Sequence, residues 1–287
     1  MIHTVITHPG GAHKDDLLAV CVLVAETGAT VHRRDPTSDE LRDPQVAVVD
    51  IGGEHDPERS NFDHHHFPRE HPPTCALSLL LASKGLYEDA LHFCDWLEVA
   101  EWFDSRGPGK TARFLGVPRK AISQLNSPVD MTLLRHFAGA TTHRPGEPVY
   151  EFMCLVGRDL LSYLAEVRAR IAFATEHAVR WTLTRGDQAL EVVFLPRTDP
   201  LPAEPSGTAG AYIRAHGLEQ EIAAMIYPDR RGQGYGIARY EDHPQLDFGR
   251  VGGEVDVHFA HKSGFLCKTS AVEVERLRAL VHRAWLD

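Results

Sequence analysis

The chain of 287 residues has few cysteines, no long apolar run and no excess of positive charge. Its five cysteines, Cys21, Cys75, Cys94, Cys154 and Cys267, are dispersed and form no CxxC pair. That excludes zinc-finger spacing and a disulfide framework, and predicts reduced core thiols. Apolar runs such as Leu17–Ala25 fall far short of the roughly 20 residues a helix needs to span a bilayer. The start, MIHTVITHPGG, has no basic region followed by an apolar one, so no signal peptide and a cytoplasmic location are expected. A net charge of −10 argues against a protein that coats duplex nucleic acid with a broad basic surface. It leaves open an enzyme for short strands, because carboxylates that hold divalent cations make a bare chain look more acidic than the loaded one. No internal repeat or low-complexity tract is present.

The length allows one or two domains around a well-buried core. MIHTVIT (1–7) is β-branched and apolar and reads as a buried strand. The loop HPGGAHKDD follows, then LLAVCVLVAETG, a helix closed by Gly28 with Asp15 and Asp16 at its start. ATVHRRD and QVAVVDIGG read as further strands, the latter ending in Asp50 and a glycine turn. Continuous apolar strands alternating with a helix predict a parallel α/β sheet, with ligands at the C-terminal strand ends. Residues 74–104 read as mainly helical, and DSRGPGKT breaks the pattern. The amphipathic stretch 147–179 has helical period and no sustained heptad, which suits a helix bridging two domains. From Arg180 the pattern becomes a strand pair, a helix in GTAGAYIRAHG, two strands around RRGQG, a strand-rich EVDVHFAHKSGFLCKTS and a final helix (271–285). The expected domains are therefore 1–180, including the connecting helix, and a smaller α+β domain, 181–287.

Two patches carry chemistry. THPGGAHKDD places His8, His13, Asp15 and Asp16 on a glycine loop between strand and helix. Gly10 and Gly11 let the backbone turn so that His8 and His13 can face one point. One strand–helix–strand unit later, VVDIGGEHDPERSNFDHHH brings Asp50, then Asp63, His64, His65 and His66. Asp104 marks the end of the helical run in EWFDSRG. Singly these signals are weak: a histidine at a strand end is more often structural than a ligand, and a DHHH tract can be a solvated loop. Their joint occurrence at successive strand ends points to metal binding. Carboxylates with neutral imidazoles suit Mn²⁺, Fe²⁺ or Zn²⁺, whereas all-oxygen sets suit Mg²⁺. Ligands in this number can hold two ions, and Asp50 is the natural bridge.

THPGGAHKDD, VVDIGG and DHHH together resemble the DHH phosphoesterase superfamily, and more closely its MYG-type branch (melanocyte-proliferating-gene proteins). VHFAHKSGFLCKT near the C-terminus resembles that branch's HA-x-GF segment. The resemblance covers both ends of the chain and, more faintly, its middle. It implies an N-terminal parallel-sheet DHH-type domain joined by a long helix to a C-terminal substrate-binding domain across a cleft. It implies one metal held by His8, His13 and Asp50, and another by Asp15, Asp50, His64 and Asp104. The DSRG turn selects Asp104 over the runner-up Asp95. Asp63 would orient a ligand histidine, and His65 would face the substrate phosphate. His261, Ser263 and Gly264 would meet the substrate, and Lys268, Arg230 and Arg231 would pair with phosphates. Pro9, Lys14, His66, Cys267 and Lys268 depart from the branch's pattern and bear on substrate preference. RRGQGYG lacks the strand–loop–helix context of a phosphate-binding glycine loop.

The expected function is a phosphoesterase using two divalent ions, manganese first and Mg²⁺, Fe²⁺ or Zn²⁺ as alternatives. By resemblance it is a 3′–5′ exonuclease on RNA or short oligonucleotides, with no membrane partner and with homo-oligomerisation left open. Alternatives are hydrolysis of cyclic dinucleotides, polyphosphate or other small phosphoesters, and a non-catalytic metal- or nucleotide-binding module. A two-metal amide hydrolase would use similar His/Asp sets, but the DHH tract and the HA-x-GF-like end fit phosphoesterases.

Overall fold

Residues 1–124 and 127–286 are described by the computed structural model. The β-branched start forms β1 (Thr4–Thr7), and the glycine loop leads into α1 (Lys14–Thr27), which Gly28 closes in the left-handed conformation. The chain then returns as β2 (Thr30–Arg33), and the VAVV run gives β3 (Val46–Val49). Both pair with β1 in parallel, Thr7 lying between Arg33 and Val49. Helix α1 is buried on nearly every side, from Asp15 and Asp16 through Val24. That burial explains its continuous apolar sequence. On one side α8 (Pro148–His177) comes so close that a Cβ on Gly157 would lie 2.0 Å from the carbonyl oxygen of Cys21. Only glycine fits there.

The first sheet is mixed rather than parallel throughout. Its order is β4-β5-β3-β1-β2-β6, where β4 (His55–Asp56), β5 (Asn61–Phe62) and β6 (Thr142–His143) have two residues each. Strand β5 extends the parallel centre beside β3, while β4 and β6 are antiparallel edges. Two-residue strands carry no readable period, so the sequence pattern shows only the parallel centre. Helices α2 (Ala76–Ser83), α3 (Tyr87–Phe93), α4 (Trp96–Arg106), α5 (Pro108–Phe114), α6 (Arg119–Gln124) and α7 (Pro128–Ala138) complete this part. Its core joins Val5, Val20, Val24, Val31 and Val49 to Leu77, Leu80, Leu97, Phe137 and Met153. Each such aliphatic side chain contributes roughly 1.5–3 kcal/mol by leaving water.

The compact units are Met1–Ala165 and Glu166–Asp287. They part inside α8, ahead of position 180, where the composition changes. The second unit has its own sheet, β11-β12-β10-β9-β8-β7. Strands β7 (Val179–Arg185) and β8 (Gln188–Phe194) form the expected hairpin. Helix α9 (Pro205–Ala215) carries the chain to β9 (Ile222–Pro228), parallel to β8, and β10 (Tyr235–Arg239), β11 (Val257–Ala260) and β12 (Leu266–Thr269) close the sheet antiparallel. Helix α10 (Val274–Ala284) packs Leu277, Leu280, Val281 and Ala284, the i, i+3, i+4, i+7 stripe, into a core with Phe248 and Trp285. All five cysteines are buried thiols outside any disulfide, as their scatter predicts. Among the described residues, no helix is long and apolar enough to cross a membrane.

Candidate metal centre

Strand β1 lies between β2 and β3, and because β1 and β3 are parallel their C-terminal ends lie side by side. Because Thr7 is opposite Val49, the next residues, His8 and Asp50, emerge side by side. Gly10, at φ +86°, turns the loop back into α1, where Asp16 accepts from the His13 amide at 2.8 Å and the Leu17 amide at 2.7 Å. Asp16 therefore completes the cap of α1 and fixes the loop that carries both histidines. Asp50 adopts φ 58°, a left-handed conformation that costs a non-glycine residue roughly 1–2 kcal/mol. Its amide donates to the Phe62 carbonyl at 3.0 Å, which holds it against that strain.

Three overlapping groups of ligand atoms result: His8, His13 and Asp50; Asp15, Asp50, His64 and Asp104; and Asp50, His64 and His65. Asp50 belongs to every one. The structure thus brings together all six residues expected as metal ligands. The His64 Nε2 atom lies 2.8 Å from Asp104 and 3.2 Å from Asp50, and His13 Nδ1 lies 3.3 Å from Asp104. Asp104 enters from the last turn of α4, whereas Asp95 is an exposed residue just before that helix and joins none of these groups. A cavity of about 470 Å³ is lined by His8, His13, Asp50, Asp63 and His65.

Metal ions fit these residues on the evidence of the polar atoms themselves. His8 Nε2, both Asp15 carboxylate oxygens, one oxygen each of Asp16, Asp50 and Asp104, and His64 Nε2 are buried without a hydrogen bond. A buried unpaired polar atom costs about 1–3 kcal/mol, and charged groups cost more. His8 makes the point atom by atom. Its Nδ1 lies 2.9 Å from the Pro9 carbonyl, which can only accept, so Nδ1 carries the proton. In the neutral ring the Nε2 lone pair then faces carboxylate oxygens of Asp16 and Asp50 at 3.1 and 3.5 Å. Only a cation, a proton or a metal, reconciles those lone pairs. The donors are nitrogen and oxygen with no sulfur, which suits Mn²⁺, Fe²⁺ or Zn²⁺.

Without metal, protons take that place. The Asp16 contact is the largest influence on His8 and, against partial burial, raises it to about 9. Burial opposes the charge on His64, but Asp104 and Asp50 push it up to about 10. Burial, then the Asp50 and Asp104 charges, raise Asp15 well above the carboxylate range. Burial likewise raises Asp50 despite His64. Asp104 goes the other way: His13 and His64 outweigh its burial and hold it low.

Asp63 holds His65, which is not among the histidines expected as metal ligands. One Asp63 oxygen lies 2.7 Å from His65 Nδ1 and accepts the His65 amide at 3.1 Å; the other accepts from Gly53 at 2.6 Å. Burial works against the charge on Asp63, but these donors bring it down to about 2. The exposed His65 ring borders the cavity, its Nδ1 3.7 Å from Asp50.

Arg33 was not singled out by its sequence. Its side chain, 2% exposed, donates to the Gly10 and Gly11 carbonyls at 3.0 and 3.3 Å, lies 3.6 Å from Asp16 and packs over Phe137. It braces the loop from beneath and brings a buried positive charge to the carboxylates. The available signal was a charged residue at the inward-facing end of a short strand.

In the second unit, His261, Ser263 and Gly264 form one tight turn. His261 Nδ1 accepts from the Ser263 amide at 3.1 Å, and the Gly264 amide donates to the His261 carbonyl at 2.8 Å. Lys268 donates to Asp229 at 3.1 Å, and the Arg231 amide meets the same carboxylate oxygen at 3.1 Å. Arg230 turns away to Glu204 at 2.8 Å. Two of the three cations expected to pair with phosphates, Lys268 and Arg230, thus hold carboxylates in this structure.

Residues 4–87 match the family model MYG1_exonuc, described as an uncharacterised protein family (UPF0160). This is the MYG-type family that the loop motifs resemble. The match takes in His8, His13, Asp15, Asp50 and His64, and stops short of Asp104 and the second unit. No curated protein matches the chain. Among solved structures, a pGpG-specific phosphodiesterase, PggH from Vibrio cholrae, is similar over 99% of this chain and 98% of its own, with 13% identity and a TM-score of 0.33. That likeness is too distant to carry a fold or a substrate from one to the other.

Proposed function

We propose that the protein is a metal-dependent phosphoesterase of the MYG type, a 3′–5′ exonuclease on RNA or short oligonucleotides. One observation carries the reading: two ligand groups, three and four residues strong, share the buried carboxylate Asp50. A shared carboxylate between two nitrogen- and oxygen-donor sets is the arrangement used for phosphoester hydrolysis. His8, His13 and Asp50 would hold one ion and Asp15, Asp50, His64 and Asp104 the other, manganese being the first choice. Bound there, divalent ions would supply an acidified water and offset the negative charge that develops on the phosphoryl oxygens.

The chain's own residues do the rest. Asp50, held in its strained conformation by the Phe62 carbonyl, presents an oxygen to each set. Asp63 holds His65 at the cavity wall, where the protonated ring can donate to a phosphate oxygen or to the leaving oxygen. Asp16 and Arg33 keep the His8–His13 loop in place. In the second unit, the His261–Gly264 turn, Lys268 and Arg231 are the candidate substrate contacts. Arg230 joins them only by releasing Glu204.

The test is a 5′-labelled oligoribonucleotide with added Mn²⁺, with and without chelator. A ladder shortening from the 3′ end, abolished by chelator, is the expected result. An intact strand beside hydrolysis of cyclic dinucleotides or polyphosphate would move the substrate and keep the chemistry. Metal uptake without hydrolysis of any phosphoester would leave a binding module.

A further inference from the structure

Between Asp104 and Asp130 the chain has no acidic residue and five cations, Arg106, Lys110, Arg113, Arg119 and Lys120, in a protein with a formal charge of −10. The last four are exposed. Among the described residues none of these four meets a carboxylate; Arg119 donates only to the Ser123 hydroxyl, at 2.9 Å. Interleaved with them is an aromatic pair. Trp102 on α4 and Phe114 on α5 stack with centroids 4.6 Å apart and planes 11° from parallel, and Phe114 is 41% exposed.

Unpaired cations around an exposed aromatic face are what a single-stranded nucleic acid requires, cations for its phosphates and rings for its bases. A protein partner fits poorly, because interface cores are depleted of charge and here a cation recurs every few residues. A membrane surface fits poorly as well: α5 and α6 have seven and six residues, too few for a continuous apolar face.

The placement says which part of a strand would lie here. Asp104 turns to the ligand group, and Trp102 is two residues earlier on the same helix. Two residues are about 200° of helical rotation, so Trp102 is on the far side of a rod about 10–12 Å across. A dinucleotide anchored at the metal centre does not reach round α4, whereas a longer strand does.

We propose that Trp102, Phe114, Lys110, Arg113, Arg119 and Lys120 form a track for the distal nucleotides of a single-stranded oligonucleotide whose end lies in the metal centre. The proposal rests on the phosphoesterase reading and narrows its substrate class to strands longer than a dinucleotide.

The experiment compares kcat/KM for a dinucleotide and a dodecanucleotide in Mn²⁺, for the wild type, Phe114→Ala, and the double variant Arg113→Glu with Lys120→Glu. The wild type is expected to favour the dodecanucleotide. Phe114→Ala is expected to cut that advantage about fivefold to a hundredfold, the range for removing one base stack. In chelator, where no strand is cut, fluorescence anisotropy gives the salt dependence of dodecanucleotide binding. The double variant is expected to flatten its logarithmic slope by about 0.7 for each phosphate it no longer neutralises. Equal use of both lengths by the wild type overturns the track and leaves the phosphoesterase reading standing. So does an advantage that survives all the substitutions. A change in sedimentation mass in either variant overturns it too, because the surface is then a subunit interface. If the wild type cuts neither substrate, the exonuclease reading fails, and the anisotropy alone decides the track: binding weakened by the variants sustains it, and no binding overturns it.

Discussion

The two units treat their charges in opposite ways. In Met1–Ala165 the carboxylates of Asp15, Asp16 and Asp50 are almost wholly buried, and with Asp104 they leave oxygens without a hydrogen bond. Glu166–Asp287 leaves a hydroxyl, a guanidinium nitrogen and an indole nitrogen in that state, but among the described residues no carboxylate oxygen. Several of its acids meet cations: Asp256 and Glu254 with Arg276 at 2.6 and 2.8 Å, Asp229 with Lys268, and Glu204 with Arg230. Among the described residues, buried carboxylate oxygens without a hydrogen bond lie in the first unit alone, gathered around one point. Buried charge of one sign, left unpaired, opposes folding. Its presence in only one unit identifies where a cation contributes to the free energy.

The substitution with the largest effect removes the shared carboxylate. Asp50→Asn should abolish turnover while far-UV circular dichroism stays native, since asparagine tolerates the left-handed backbone there. The metal-free variant should also be more stable than the wild type above the carboxylate range. Burial raises the Asp50 carboxyl in the folded chain, so folding takes up protons and stability falls as pH rises through that value. Turnover at the wild-type rate would remove Asp50 from the proposed chemistry. Next in size is Asp63→Asn, which frees His65 and should lower activity or metal affinity about 10–100-fold. An unchanged rate would mean that the 2.7 Å contact to His65 is only structural.

Metal addition tests the contrast between units directly. Mn²⁺ at a hundredfold excess over its Kd should stabilise the first unit by about 2.7 kcal/mol, moving its melting transition up about 5–10 °C, and a chelator should reverse this. In calorimetry, a matching shift in a transition assigned to the second unit would erase the distinction. Binding should also release protons near neutral pH, because His8 at about 9 and His64 at about 10 are protonated in the metal-free chain and must be neutral as ligands. Apparent affinity then rises with pH up to those values. Titration calorimetry in buffers of different ionisation enthalpy measures the release; identical heats in all buffers would refute it. The smallest effect belongs to Arg230→Gln. Arg230 and Glu204 are both more than half exposed, so stability should move by less than about 0.5 kcal/mol. A marked rise in KM would then identify Arg230 as a phosphate contact.

The candidate site was legible wherever ligands follow local punctuation. His8, His13, Asp15 and Asp50 sit beside glycine turns that end or begin apolar runs, and those runs fix which end of a strand or helix each residue occupies. Asp104 was chosen over Asp95 by its motif, and the structure shows the physical difference: one lies on the last turn of α4, the other is exposed just before its first. The cap formed by Asp16 and the brace formed by Arg33 were not legible. An acid that caps a helix and an arginine that ends a strand look alike in sequence whether they face water or a cluster of carboxylates. Only packing makes Arg33 2% exposed.

By itself the sequence determined the strand–helix–strand order, the residue types offered to a metal, and the buried character of α1, because each follows from period, turn chemistry and composition within a few neighbouring residues. The tertiary structure alone decided that β4 and β6 run antiparallel at the sheet edges, that the compact units part inside α8, and that Trp102 stacks on Phe114. It also decided that side chains from β1, α1, β3, β5 and α4 or the loops beside them meet around Asp50. Strand pairing and side-chain convergence join residues distant along the chain, and their free energy comes from contacts that no local pattern encodes.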